Sequence, residues 1–197
     1  HAGGTGADAF KPGIRGKLTV DGQLDSDTLV IHDEDGNPAD TATFDTYSDD
    51  KGLHYHVGGL GMGPDGLTYT RVEQFDLHMG PGDDLVTVDA IDPVTHVTLN
   101  LGNGADRVDV RAMEGDLEID GGSGDDTVNV GSLAPAVTGG DLAGIAGELA
   151  FIGGTGTDVF NVDDTEDASD RSAVLTGSTL TGLGMAAGVG HYEVDTL

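Results

Sequence analysis

The sequence predicts an all-β fold, a right-handed parallel β-helix (β-solenoid) of roughly 20 residues per coil. Three features of the 197-residue chain predict it: a glycine–aspartate turn that recurs, alternating apolar residues on both sides of that turn, and a composition suited to a thin core.

The turn comes first, because internal repeats decide a fold before local propensity does. Gly4-Thr5-Gly6-Ala7-Asp8-Ala9-Phe10, Gly80-Pro81-Gly82-Asp83-Asp84-Leu85-Val86 and Gly102-Asn103-Gly104-Ala105-Asp106-Arg107-Val108 share one pattern, G-x-G-x-D-x-apolar. Gly122-Ser123-Gly124-Asp125-Asp126-Thr127-Val128 and Gly154-Thr155-Gly156-Thr157-Asp158-Val159-Phe160 repeat it. A worn copy over residues 22–29 keeps Asp27 and lacks the inner glycines. Asp84 and Asp106 are 22 residues apart, and Asp106 and Asp126 are 20 apart.

The strands follow from the turn. After each aspartate, Val86 and Val88, Val108 and Val110, Val128 and Val130, and Phe160 and Val162 are set to point inward. Thr87, Asp109, Asn129 and Asn161 are set to point outward into solvent. Before the turn runs a second alternating set: Leu18 and Val20, Phe75 and Leu77, Val97 and Leu99, Leu117 and Ile119, Leu149 and Phe151. Period two is the mark of a half-buried strand. The same strand after the same turn stacks in parallel as successive rungs, like over like. An antiparallel sandwich also shows frequent turns, but does not require one motif before one strand.

Composition fits this reading. Glycine contributes 34 residues, aromatics are 5%, and tryptophan is absent, so the core must be Val, Leu, Ile and a few Phe. Thirty-six acidic residues against eight basic ones give a formal charge of −28. Nucleic acid is excluded as an expected partner, since nothing here would neutralise phosphates. Disorder is disfavoured by 37% hydrophobic residues in clean alternation. The excess acid calls instead for cations. There is no cysteine to staple the chain, and no apolar run approaches the roughly 18 residues of a membrane-spanning helix, so no membrane insertion is expected.

A longer repeat lies over the short one. Gly3, Gly4, Gly6 and Asp8 recur 118 residues on as Gly121, Gly122, Gly124 and Asp126. Gly22, Asp27 and Asp33 recur 131 on, as Gly153, Asp158 and Asp164. Gly59-Leu60-Gly61-Met62 and Tyr69 recur 123 on, as Gly182-Leu183-Gly184-Met185 and Tyr192, and Val72-Glu73-Gln74-Phe75 is echoed at 122 by Val194-Asp195-Thr196-Leu197. The drift in offset places 13 extra residues in the second copy, around 132–147, and about 8 in the first, around 34–58. Residues 1–120 therefore read as a first β-helix module. Residues 121–197 read as the start of a second, homologous module continuing the same solenoid. Because the second copy reaches only the equivalent of Phe75, the chain is expected to be a section of an array. Its expected partners are neighbouring modules or copies of itself, end to end.

The glycines of the turn admit positive φ and close approach, so their carbonyls can face one point between rungs. Aspartate adds a hard anionic oxygen, and calcium takes 6–8 such oxygens in flexible geometry. These segments resemble the haemolysin-type (RTX-like) nonapeptide G-G-x-G-x-D-x-U-x, whose family forms calcium-filled β-rolls after export. The module as a whole resembles, more loosely, units of very large repetitive bacterial surface proteins. The resemblance implies Ca2+ held by Asp8, Asp84, Asp106, Asp126 and Asp158, with Gly6, Gly82, Gly104, Gly124 and Gly156 as carbonyl donors. The family's nonapeptides run consecutively and turn at both edges of the roll. Here the motif comes once per coil, so only one edge can be metallated, and Gly154, 32 residues after Gly122, interrupts that column. The alternative for the same motif is a metal-free turn whose aspartate caps backbone amides.

The function these features imply is structural: a calcium-stabilised segment of a large exported surface or filament-forming protein, extracellular, as adhesin stalk, surface layer or fibre, and not an enzyme. One alternative is a carbohydrate-binding or ice-binding module; exposed aromatics are few, and Thr41-Ala42-Thr43 has no stacked copy. Another is a polysaccharide-degrading β-helix using Asp83-Asp84 or Asp125-Asp126, with only eight basic residues to hold an acidic substrate. His54 and His56 share one side of a strand as a candidate zinc pair lacking a third ligand, and a solvated face is the plainer reading. Asp33-Glu34-Asp35 and Asp163-Asp164 with Glu166-Asp167 are acidic loops that could hold a further ion. No nucleophile elbow, zinc-protease helix or phosphate loop is present.

Overall fold

The computed structural model describes residues 15–34 and 39–197, and among them it is all β, with no helix. Strands β1 (Leu18–Asp21) and β2 (Thr28–His32) lead into an antiparallel meander of β3 (Thr41–Asp49), β4 (Gly52–Gly59) and β5 (Leu67–Thr70). Eight strands follow: β6 (Gln74–His78), β7 (Leu85–Val88), β8 (His96–Asn100), β9 (Arg107–Val110), β10 (Asp116–Asp120), β11 (Thr127–Val130), β12 (Glu148–Ile152) and β13 (Val159–Val162). A second, shorter meander is built from β14 (Ala173–Leu175), β15 (Thr179–Gly182) and β16 (Gly188–Tyr192).

These strands form two mixed eight-stranded sheets, ordered β1-β5-β4-β3-β7-β9-β11-β13 and β14-β15-β16-β12-β10-β8-β6-β2. From β6 to β13 the chain alternates between the sheets, and every neighbour in that stretch is parallel. Registers match like with like. Val86, Val108, Val128 and Phe160 stand in one row, and Phe75, Val97, Leu117 and Leu149 in another. All eight are buried. Each such side chain removed from water contributes roughly 1.5–3 kcal/mol, which is how a core with few aromatics holds.

Three expectations need correction. Asp109 and Asn129 alternate with core valines, yet they are 1% and 4% exposed. Stacking buries them: Asn129 Nδ2 donates to Asp109 Oδ1 and Asn161 Nδ2 to Asn129 Oδ1, each at 2.9 Å, while Arg107 lies 3.2 Å from Asp109. Nor does the 32-residue spacing break the column, since β13 stacks on β11 in unbroken register. The extra residues form an excursion that returns Leu142 and Ile145 to the core, Ile145 bridging to Met113. Finally, Leu18 and Val20 lie in the first sheet, whereas Phe75, Val97, Leu117 and Leu149 lie in the second.

β5 pairs with β1 as β16 pairs with β12, and Thr28 pairs with Gln74 as Val159 does with Thr196. Leu60 and Leu183 adopt φ of +52° and +53°, and Arg71 and Glu193 φ of +53° and +52°. The matching elements occupy opposite sheets: β1, β5, β4 and β3 in the first, β12, β16, β15 and β14 in the second. By register, Tyr69 corresponds to His191 and not to Tyr192, because His56↔Thr68 matches Thr179↔Gly190.

Candidate carboxylate column

The turn between a second-sheet strand and the following first-sheet strand carries the recurring aspartate. Stacking in register sets each aspartate over the last, one rung (about 4.8 Å) away. The side chain then reaches back to the neighbouring rung's backbone. Asp40 N–H donates to Asp84 Oδ1 at 2.7 Å, Asp84 N–H to Asp106 Oδ1 at 2.7 Å, and Asp106 N–H to Asp126 Oδ1 at 2.9 Å. Asp126 N–H donates to Asp158 Oδ1 at 3.0 Å, and Asp158 N–H to Asp195 Oδ2 at 2.9 Å. At the worn copy, Asp27 N–H donates to Glu73 at 2.8 Å. The structure thus brings Asp84, Asp106, Asp126 and Asp158 together in one column, all at most 3% exposed. Asp8 and Gly6 lie outside the described residues.

Glycine is required beside this column. Gly104, Gly124 and Gly156 have φ of +151°, +130° and +144°. A Cβ on each would sit 2.0, 1.6 and 1.9 Å from the carbonyl oxygen of Gly82, Gly104 and Gly124. Those carbonyls therefore face the next rung's Cα. Any side chain would force the rungs apart.

The electrostatics are strained. Burial pushes the Asp106 carboxyl up to about 7; the Asp84 amide opposes this, and the like charges of Asp126, Asp84 and Asp83 add to it. Burial likewise pushes Asp126 up to about 6, opposed by the Asp106 amide and reinforced by Asp158, Asp125 and Asp120. The Oδ2 atoms of Asp106, Asp126 and Asp158 are buried with no hydrogen-bond partner. Asp126 Oδ2 packs over Gly121, 2.4 Å from where a Cβ would stand. Asp106, Asp126 and Asp158 therefore each offer one oxygen spent on an amide and one without a hydrogen-bond partner. An unpartnered carboxylate oxygen on each of these three rungs fits calcium in kind.

Other predicted features resolve differently. Asp83 and Asp125 are exposed and accept the Ala105 and Thr157 amides at 2.9 Å. Both members of each acidic pair thus accept separate amides. His54 Nε2 meets Asp49 and His56 Nδ1 meets Asp45, each at 2.8 Å, and both rings pack on Tyr47. The two imidazoles thus have separate carboxylate partners. Asp163 accepts from the Gly140 amide at 2.7 Å and the Thr165 hydroxyl at 2.7 Å, pinning the excursion before β12, and Asp167 pairs with Arg171. Asp33 is buried, and Asp35 lies outside the described residues.

Sequence reasoning missed one cluster. Among the described residues, His32, Glu34 and His78 form the one group of three whose candidate ligand atoms all lie within 4.8 Å. Forty-six residues separate the histidines, and only the β2–β6 register, His32↔His78, joins them. Compared with protein-family models, with characterised proteins and with solved structures, the chain matches none.

Proposed function

We propose that this chain is a structural segment of a right-handed parallel β-helix, a rod module of a large exported surface or filament-forming protein, neutralised along one edge by calcium. The observation that carries the reading is the column itself: the buried carboxylates of Asp84, Asp106, Asp126 and Asp158 each hold the amide of the preceding rung, and the exposed Asp195 continues the series. Such a device joins rung to rung through the aspartates. The glycine–aspartate turns support calcium by their resemblance to RTX-like repeats, and the parallel registers support the solenoid. The matched geometry of the two copies supports reading residues 1–120 and 121–197 as successive modules.

Charge compensation follows a definite sign. With carboxyl pKa values of about 7 and 6 against an ordinary 3.8, the native state binds more protons than the unfolded chain between about pH 4 and 7. Metal-free stability from this source is full below pH 4 and is lost as pH rises through those values. Calcium replaces the missing protons above that window. Melting should be followed at pH 8 and pH 5, in chelator and in millimolar calcium. Calcium should raise the melting temperature at pH 8, and by less at pH 5. Magnesium, with its tighter octahedral demand, should do less at either pH. An unchanged melting curve at pH 8 removes calcium from the proposal and leaves a proton-compensated rod.

A further inference from the structure

The β2–β6 register sets two imidazoles on adjacent parallel strands, rings stacked with centroids 4.7 Å apart and planes 14° from parallel. Just past β2, Asp33 N–H donates to the His78 carbonyl at 2.8 Å. That bond carries the chain back over His78 and delivers Glu34 to both rings. Its two oxygens divide between them: Oε2 is 3.4 Å from His32 Nδ1, and Oε1 is 3.8 Å from His78 Nδ1. Both distances exceed the 2.7–3.2 Å of a hydrogen bond. Ligands bound at about 2.0–2.1 Å around one ion stand somewhat over 3 Å apart. These three groups, with candidate ligand atoms within 4.8 Å of one another, close on one ion once side-chain rotation turns the stacked rings' Nδ1 lone pairs toward it. All three groups are at least partly open to solvent, so an ion can enter.

From this we infer a transition-metal site: His32 Nδ1, His78 Nδ1 and Glu34 bind one zinc-class divalent cation, with a remaining position open to water. Two imidazoles and one carboxylate suit Zn2+, Co2+ or Ni2+, whereas Ca2+ and Mg2+ prefer all-oxygen shells. The site is therefore chemically separate from the carboxylate column. It sits on the second sheet, and its occupancy ties β2 to β6.

The test is zinc titration of the whole chain by calorimetry in millimolar calcium, which competes with zinc for the all-carboxylate sites. One equivalent of zinc should bind. His32→Gln, His78→Gln and Glu34→Gln should each weaken it at least tenfold, while the double variant His54→Gln/His56→Gln should leave it unchanged. Imidazole proton resonances of the unsubstituted protein give a second readout that needs no variant to fold. Zinc should shift two of the seven histidines first, and Co2+ should show d–d absorption of nitrogen ligation. Zinc binding that survives His78→Gln, that is displaced by calcium, or that moves all histidine signals together would overturn the site.

Discussion

Asp106 shows how one side chain serves two demands that conflict. Its Oδ1 holds the buried Asp84 amide, and its Oδ2 has no hydrogen-bond partner. Two substitutions separate these roles. Asp106→Ala strips the acceptor from that amide, and should cost about 1–3 kcal/mol in urea unfolding whether or not calcium is present. Asp106→Asn keeps an Oδ1 acceptor and removes the charge. In chelator at pH 8 it should melt higher than the parent protein, and its gain on adding calcium should be smaller. Asp109→Asn, in the neighbouring polar ladder, should leave the calcium response intact. If Asp109→Asn and Asp106→Asn blunt calcium equally, bulk charge and not the column governs the response.

Among the strands, β3 and β14 are equivalent in register and opposite in environment. Phe44 of β3 faces Val57 on one side and Val88 on the other, and is fully buried. Leu175 of β14 faces Leu180 in the same way but is 60% exposed, with β14 at the edge of its sheet. An exposed apolar edge strand is a template for another chain. A second copy docking on β14 should make the protein associate with rising concentration in sedimentation velocity. Leu175→Lys should weaken that association at least tenfold without lowering the melting temperature. A chain that stays monomeric at the highest concentration reached disproves docking at this edge. The strands themselves were legible in the sequence, because alternation and the glycine turn are local signals that name the inward residues from Val86 to Phe160. What lay hidden depends on contacts between rungs. Arg107, two residues away, is a visible ion-pair partner for Asp109, but nothing near Asp109 announces that Asn129 will cover it. Nothing near His32 points to His78, and the 32 residues between Gly122 and Gly154 look like a gap until Leu142 and Ile145 are seen to fold back.

At the level of the whole molecule, each meander enlarges one sheet alone. Three strands, β5, β4 and β3, lie between β1 and β7, while in the second sheet β6 alone lies between β2 and β8. Over the same two circuits the first sheet is longer by two strand spacings, about 10 Å. Left alone, that difference acts as a wedge and tips the stack toward the second sheet. The matching meander β14–β16 enters the second sheet instead, and both sheets reach eight strands. Successive wedges thus point in opposite directions. In tandems of two and four such modules, small-angle scattering should show a constant cross-section and a maximum dimension that grows in proportion to module number. A dimension that grows more slowly would mean the tilts add. If the chain is the rod module proposed above, cancelling tilts would let a filament keep its heading however many modules it contained.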